Sequence, residues 1–392
     1  MTTFEKLFPS DVLTKRLRVE RTLNFQPVDR AVLHEQLSYN PGVIALYTGK
    51  LISGFNYTRA DVGAVIRQTL DACFLPVDPL GKDQNTDADG FVHQQDEWNS
   101  SLVGRPFTDI AGARAYLLQK TDELRRAPFD AENERQQYHA YMHDLQALVG
   151  ETVVIDFSIN VGFCDCWSNL GLELFSYLYA EDPQTICNYV EARTTRSIRK
   201  VHAVADLALS PVVLIAEDFA SKNGPIFNPT LLRQVHYPNL HRLTEAWHAH
   251  GIKVIYHSDG NWKGVIPDLV NCGVDGFYCL EPALEMDIVE LRKSWPHHTW
   301  AGGIDGVDLM ERGTPEDVRR EVHRIIRETD ALNTGGIFID SSSEINPPIP
   351  PENFRAMVEA VGEIFNTTFL RGTHAKNDPP RAHARNLRRA AG

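Results

Sequence analysis

The chain has 392 residues, 43% of them hydrophobic and 23% charged, with a formal net charge of -13. That balance excludes a disordered polymer and fits one large barrel or two ordinary domains around a sizeable core. The negative charge disfavours a partner of nucleic-acid phosphates, and no apolar run approaches the roughly 20 residues that span a bilayer. The N-terminus, Met1-Thr2-Thr3-Phe4-Glu5-Lys6, lacks the basic-then-apolar order of a signal peptide. The six cysteines are scattered, which fits a reducing compartment and no disulfide framework. A cytoplasmic protein with neither a nucleic-acid nor a membrane partner is expected.

Residues 1–29 read as a helical preamble, and Ala31-Val32-Leu33-His34 as a first strand. Helical spacing over 57–70 leads into a second strand, Ala72-Cys73-Phe74-Leu75-Pro76-Val77-Asp78. The polar stretch 81–100 reads as a loop or hairpin excursion, and 108–149 as mostly helical. Thr152-Val153-Val154-Ile155-Asp156-Phe157-Ser158-Ile159 is the third strand, with Gly162-Phe163-Cys164-Asp165-Cys166-Trp167 in its exit loop and helix over 168–206. Pro211-Val212-Val213-Leu214-Ile215-Ala216-Glu217-Asp218 is the fourth. Asn228-Pro229 then opens a helix that Gly251 ends, a side-chain cap followed by proline at the first helical position.

The fifth strand is Lys253-Val254-Ile255-Tyr256-His257-Ser258-Asp259-Gly260. The sixth is Val274-Asp275-Gly276-Phe277-Tyr278-Cys279-Leu280-Glu281, and the seventh Thr299-Trp300-Ala301-Gly302-Gly303-Ile304-Asp305. Thr314-Pro315-Glu316-Asp317 begins a helix with a capping box. Gly335-Gly336-Ile337-Phe338-Ile339-Asp340 is the eighth strand, and a last helix covers 351–366. From 371 on the chain is basic and without an apolar face, which reads as a disordered tail after a single domain over 1–370. Eight apolar strands alternating with helices argue for a (β/α)8 TIM barrel with an N-terminal helical extension. A doubly wound sheet is the rival.

In a barrel the strand exits converge on one mouth. Gathered there would be Asp78, Cys164, Cys166, Glu217, Asp218, His257, Asp259, Glu281, Asp305, Asp340 and Glu344. So many carboxylates around one imidazole repel one another unless a cation or shared protons intervene. His257 and Asp259 are two apart on a strand and so face the same side. For any single carboxylate, capping a helix or bonding a loop amide is the competing role. Cys164 and Cys166 read as inert buried thiols. His139 and His143, four apart on a helix, lack the adjoining glutamate of a zinc-protease motif. Glycine-rich phosphate loops, nucleophile elbows and dinucleotide fingerprints are absent from the sequence.

Glu217-Asp218-Phe219, then Gly224-Pro225-Ile226-Phe227-Asn228-Pro229, then His257-Ser258-Asp259-Gly260 resemble the uroporphyrinogen decarboxylase superfamily. So do Gly302-Gly303-Ile304-Asp305, Gly313-Thr314-Pro315-Glu316-Asp317-Val318 and Pro350-Pro351-Glu352-Asn353-Phe354. A fainter likeness lies in Arg16-Leu17-Arg18-Val19 and Pro27-Val28-Asp29-Arg30, so the resemblance covers roughly residues 14–366. It implies a (β/α)8 barrel and a homodimer. True decarboxylases of the family carry an arginine-rich N-terminal loop, whereas residues 35–55 here contain no arginine. Their histidine after the last strand is replaced within Ser341-Ser342-Ser343-Glu344. A tetra-acidic substrate also suits a carboxylate-rich mouth poorly.

The corrinoid-linked methyltransferases and O-demethylase components of the family hold zinc on a His-x-Cys pair and a later cysteine. His257 matches the histidine, but Asp259 and Ser343 stand where the cysteines would be. The resemblance therefore implies zinc, or another divalent metal, on His257, Asp259 and a glutamate, Glu217 or Glu344. Such a site is a harder Lewis acid, suited to polarising oxygen. The expected activity is metal-dependent methyl transfer between a small oxygenated substrate and a corrinoid or tetrahydrofolate carrier, with a corrinoid protein as partner. Asp78, Asp305 and Glu217 would position substrate or move protons. A decarboxylase in which Asp78 stabilises a cation, and a catalytically silent ligand-binding barrel, are the alternatives.

Overall fold

Short runs of β-branched and aromatic residues, buried on both faces, form eight parallel strands that close into a barrel. The computed structural model describes residues 7–366, and the basic stretch from 371 lies outside the described residues. The strands are β1 Val32–Glu35, β2 Ala72–Cys73, β3 Val153–Val154, β4 Val212–Ala216, β5 Lys253–His257, β6 Gly276–Tyr278, β7 Thr299–Ile304 and β8 Ile337–Ser341. They run in the order β3-β2-β1-β8-β7-β6-β5-β4. The sheet does not stay open: Asp156 pairs in parallel with Val213, and the Leu214 N–H donates to the Asp156 carbonyl at 2.9 Å. The eighth strand lies beside the first, with Val32 opposite Phe338 and Leu33 opposite Ile339. That return is what separates the (β/α)8 barrel from the doubly wound rival.

The period of two along each strand sorts side chains into barrel interior and helix layer. Val32, Ala72, Val153, Val212, Ile255, Ala301 and Phe338 share the inner cluster, while Leu33, Val254, Phe277 and Ile339 pack outward under the helices. One step further along, the inward residues turn polar: His34 after Val32, His257 after Ile255, Asp340 after Phe338.

The helix Lys15–Leu23 closes the other end. Its Thr14 cap accepts from the Leu17 N–H, and Val19 and Leu23 join the interior cluster against the strand starts. Arg18 on the same helix is fully buried and pairs with Asp29 and Asp71, each at 2.7 Å. Arg30 pairs with Asp71 at 2.6 Å and with Asp11 at 2.8 Å.

The polar excursion is richer than a single hairpin. Asp83–Thr86, Val92–Gln95 and Ser100–Gly104 form a three-stranded antiparallel sheet. The stretch expected as the β3 exit loop is helical from Phe163 to Leu170, for a long-range reason given below. The Thr314 capping box is present, and Asn228 caps the turn that Pro229 begins.

Candidate active site

The β5 strand delivers His257 inward at its last residue, and Asp259 follows across a turn that Gly260 completes. Gly260 has φ +84°, and a Cβ there would sit 2.8 Å from the Ser221 carbonyl oxygen. A glycine lets the loop after β5 cross tightly under the hairpin after β4. The β4 exit brings Asp218 to the same place. Its Oδ1 accepts the Asp259 N–H at 2.9 Å and lies 3.4 Å from His257 Nε2. Trp167 Nε1 donates to the Asp218 carbonyl at 2.9 Å and fixes that turn from the side.

Asp259 Oδ1 lies 3.6 Å from His257 Nε2 and 3.4 Å from Cys279 Sγ, so three donors of different chemistry face one point. The donor atoms of His257, Asp259 and Cys279 all lie within 4.8 Å of one another. Ligands about 2.0–2.3 Å from a tetrahedral ion stand roughly 3.3–3.7 Å apart, so two of these spacings are those of ligands on one centre. The set of one imidazole, one carboxylate and one thiol suits zinc or a similar borderline ion. His257 Nδ1 is buried without a protein partner among the described residues.

The charges around the imidazole act in one direction. Burial alone would lower the His257 pKa, but the hydrogen-bonded Asp218, then Asp259 and Glu344, outweigh it and raise it. Burial tends to raise Asp218, and the imidazole beside it holds the carboxyl below its ordinary value. Burial and then the acids Asp259 and Glu281 push the Cys279 thiol well above its usual range. Burial also raises Glu281, whose Oε1 accepts the Gly260 N–H at 2.8 Å. A cleft of about 610 Å³ opens beside this cluster, lined by Asp259, Glu281, Asp305, Ser342 and Ser343 among others.

The expected site residues do not all meet. Asp305 borders the cleft, and its Oδ1 caps the next turn by accepting the Val307 and Asp308 N–H groups at 3.0 and 2.6 Å. Glu344 is near enough to raise the His257 pKa, and Ser343 Oγ stands 3.5 Å from its Oε2. Glu217 is placed otherwise. It is fully buried, and its two oxygens accept the Gly162 and Cys164 N–H groups at 2.7 and 2.6 Å. Those bonds cap the Phe163–Leu170 helix from another strand and leave Glu217 outside the metal cluster. Asp78 is exposed at the start of the Arg59–Thr69 helix, where it accepts the Arg59 N–H at 2.7 Å. It has the capping role rather than a place with His257. Cys164 and Cys166 are free thiols raised to about 12 or beyond by burial.

Four residues at the mouth stand outside the expected set: His34, Glu35, Tyr278 and Cys279. His34 occupies on β1 the place His257 holds on β5, and the Tyr278 ring lies between them, 5.8 Å from the first and 5.3 Å from the second. The signal for His34 was present, an apolar run ending in an imidazole.

Residues 171–364 match the family described as uroporphyrinogen decarboxylase (URO-D). Among solved structures the chain is similar to a methyltransferase from Methanosarcina mazei, at 17% identity and a TM-score of 0.62, over 90% of this chain and 99% of that one. At such identity the likeness shows the fold. No curated protein matches the chain in sequence. Among the described residues no helix is long and apolar enough to cross a membrane.

Proposed function

Since residues 171–364 place the chain in the uroporphyrinogen decarboxylase superfamily, we propose that it is a metal-dependent methyltransferase acting on a small oxygenated substrate. The observation that carries this reading is the convergence of His257, Asp259 and Cys279 at the barrel mouth. These three residues would hold a zinc ion, with Glu344 close enough to act on the His257 charge. Cys279, directly after β6, would supply one thiolate to a site whose other family cysteines are an aspartate and a serine. Zinc bound there supplies Lewis acidity toward a substrate oxygen or thiol.

The chain's own groups define what else the site does. Asp218 pairs with His257 Nε2 in the metal-free site and, with a cation on that nitrogen, would lie beside the ligands. Glu281 fixes the Gly260 amide, and so the position of Asp259. The carboxylates Asp259, Glu281 and Asp305 along the cleft disfavour a multiply anionic substrate. That is the support for methyl transfer over porphyrinogen decarboxylation, and the capping role of Asp78 adds to it. The methyl carrier would be a corrinoid or tetrahydrofolate, with a corrinoid protein as macromolecular partner.

The test is calorimetric titration of chelator-stripped protein with zinc. One ion per chain is expected, with His257→Ala and Cys279→Ser each losing it. Failure of the wild-type chain to bind any divalent metal would remove the centre of this reading.

A further inference from the structure

The barrel axis holds a second polar group that the metal cluster does not use. His34 Nδ1 is in close contact with Asp340 Oδ2. Asp340 interacts with Glu35, whose oxygens accept the Ser341 N–H at 2.6 Å and the Ser341 hydroxyl at 3.0 Å. A chain of polar groups therefore runs from Ser341 through Glu35 and Asp340 to His34, inside the barrel. It ends on two atoms without a protein partner among the described residues, His34 Nε2 and Asp340 Oδ1. Both residues are essentially inaccessible, at 1% and 0% exposure.

The walls around His34 are aromatic: Phe74 at 4.5 Å, Tyr278 at 5.8 Å and Phe338 at 6.3 Å between ring centroids. Those rings pack against the imidazole, and none of them, the Tyr278 hydroxyl included, takes a hydrogen bond from Nε2. A buried polar group left unsatisfied carries its full desolvation penalty, and two are retained on this one pair. Two residues earlier on β1, Val32 fills the same inner face with no such penalty. A core position needs no imidazole, whereas a ligand contact does.

Burial pushes the His34 pKa down and the Asp340 and Glu35 pKa values well up. With Nδ1 against Asp340 Oδ2, those directions fit a neutral imidazole facing a protonated Asp340 whose Oδ2 proton goes to Nδ1. Nε2–H is then a free donor and Oδ1 a free acceptor. A hydroxyl, methoxyl or carbonyl oxygen satisfies the donor, and Oδ1, on the far side of the ring from Nε2, is left to a separate donor. An anion would sit beside two acids.

We propose that His34 and Asp340 are a second substrate contact of this site, which takes a neutral oxygen of a small molecule with an apolar body. The role in turnover rests on the methyltransferase reading. As the oxygen–methyl bond breaks, its electron pair stays on oxygen and the methyl passes to the nucleophile of the carrier. The Nε2 proton moves to that oxygen while the Asp340 Oδ2 proton moves to Nδ1. His34 ends neutral and Asp340 ends as a carboxylate, so protons and electrons balance.

Phenol is the probe, a neutral oxygen on a ring that matches the aromatic wall. The full chain, metal-free and labelled with ¹⁵N only in histidine, is titrated with phenol by NMR, with H34Q and D340N assigning the His34 signals. The expected result is a neutral ring protonated at Nε2, a saturable shift of that signal with phenol, and roughly tenfold weaker phenol binding in H34Q. Phenol that binds H34Q as well as wild type, or that leaves the His34 signal unmoved, overturns the proposal. If H34Q does not fold, the wild-type shift decides alone. Zinc titration of the same sample separates the two readings. Zinc binding without a His34 shift sinks the contact and leaves the metal site. A His34 shift without zinc binding keeps the contact and removes the proton step.

Discussion

The two ends of the barrel solve the burial of charge in opposite ways. At the strand starts, Arg18, Arg30, Asp11, Asp29 and Asp71 interlock, and the Arg18 and Arg30 guanidiniums and the Asp29 and Asp71 carboxylates are fully buried. At the strand exits, His34 Nε2, Asp340 Oδ1 and His257 Nδ1 are buried and have no protein partner among the described residues. Both arrangements carry a desolvation cost to offset. Only the first offsets it within the protein. An end that satisfies itself is a foundation, and an end that leaves donors open is arranged for something that arrives later.

The sharpest way to break that contrast is to remove one ion from the closed end. Arg18→Ala leaves Asp29 and Asp71 facing less charge, and a loss of about 3–5 kcal/mol in unfolding free energy is expected by urea denaturation. If that variant unfolds like the wild type, the strand-start network is not what seals the barrel. At the open end, His257→Ala is expected to weaken zinc by about a hundredfold or more, equivalent to about 2.7 kcal/mol. Its urea midpoint without metal should stay near that of the wild type. A midpoint that collapses would make the mouth structural.

Titration separates the ends by sign. Burial pushes the Asp71 carboxyl up, but Arg30 and Arg18 outweigh it and hold the pKa at about 2 against an ordinary 3.8. Its stabilising contribution is full above 3.8 and is lost as pH falls toward 2. That amounts to about 2 kcal/mol, which Asp71→Asn should remove from the acid limb of a stability-pH curve. Asp340 is shifted the other way by burial. Its contribution is full below its ordinary value of 3.8 and is lost as pH rises from there through the folded value, so Asp340→Asn should flatten the stability-pH curve above 3.8. Two variants with the same pH signature would erase the distinction. The smallest expected effect is at Asp78→Ala, which removes one exposed cap: under about 1 kcal/mol of stability, and no change in zinc affinity.

Much of this was legible in the residues. Apolar runs ending in polar ones mark the strands, and the two-residue spacing of His257 and Asp259 marks a shared direction. Cys279 was not legible as a ligand, because a thiol inside an apolar run reads as a small hydrophobe. Its direction is set by the pairing of His257 with Tyr278, a tertiary fact. The helix from Phe163 read as a loop because its cap, Glu217, lies more than 50 residues away. The same bonds remove Glu217 from the metal set, which no local pattern announces. His34 was visible as the end of a short run, but its partner Asp340 lies 306 residues on.

The join between β3 and β4 has a consequence for motion. There the ladder is thin, one bridge at Asp156 and Val213, and side chains continue the stitching. Asn160 Oδ1 takes the Ala216 amide at 2.9 Å, and Glu217 takes two amides above it. A cylinder with one weak seam breathes along that seam first, so the Leu214 amide should exchange with deuterium sooner than the Ile255 amide one strand over.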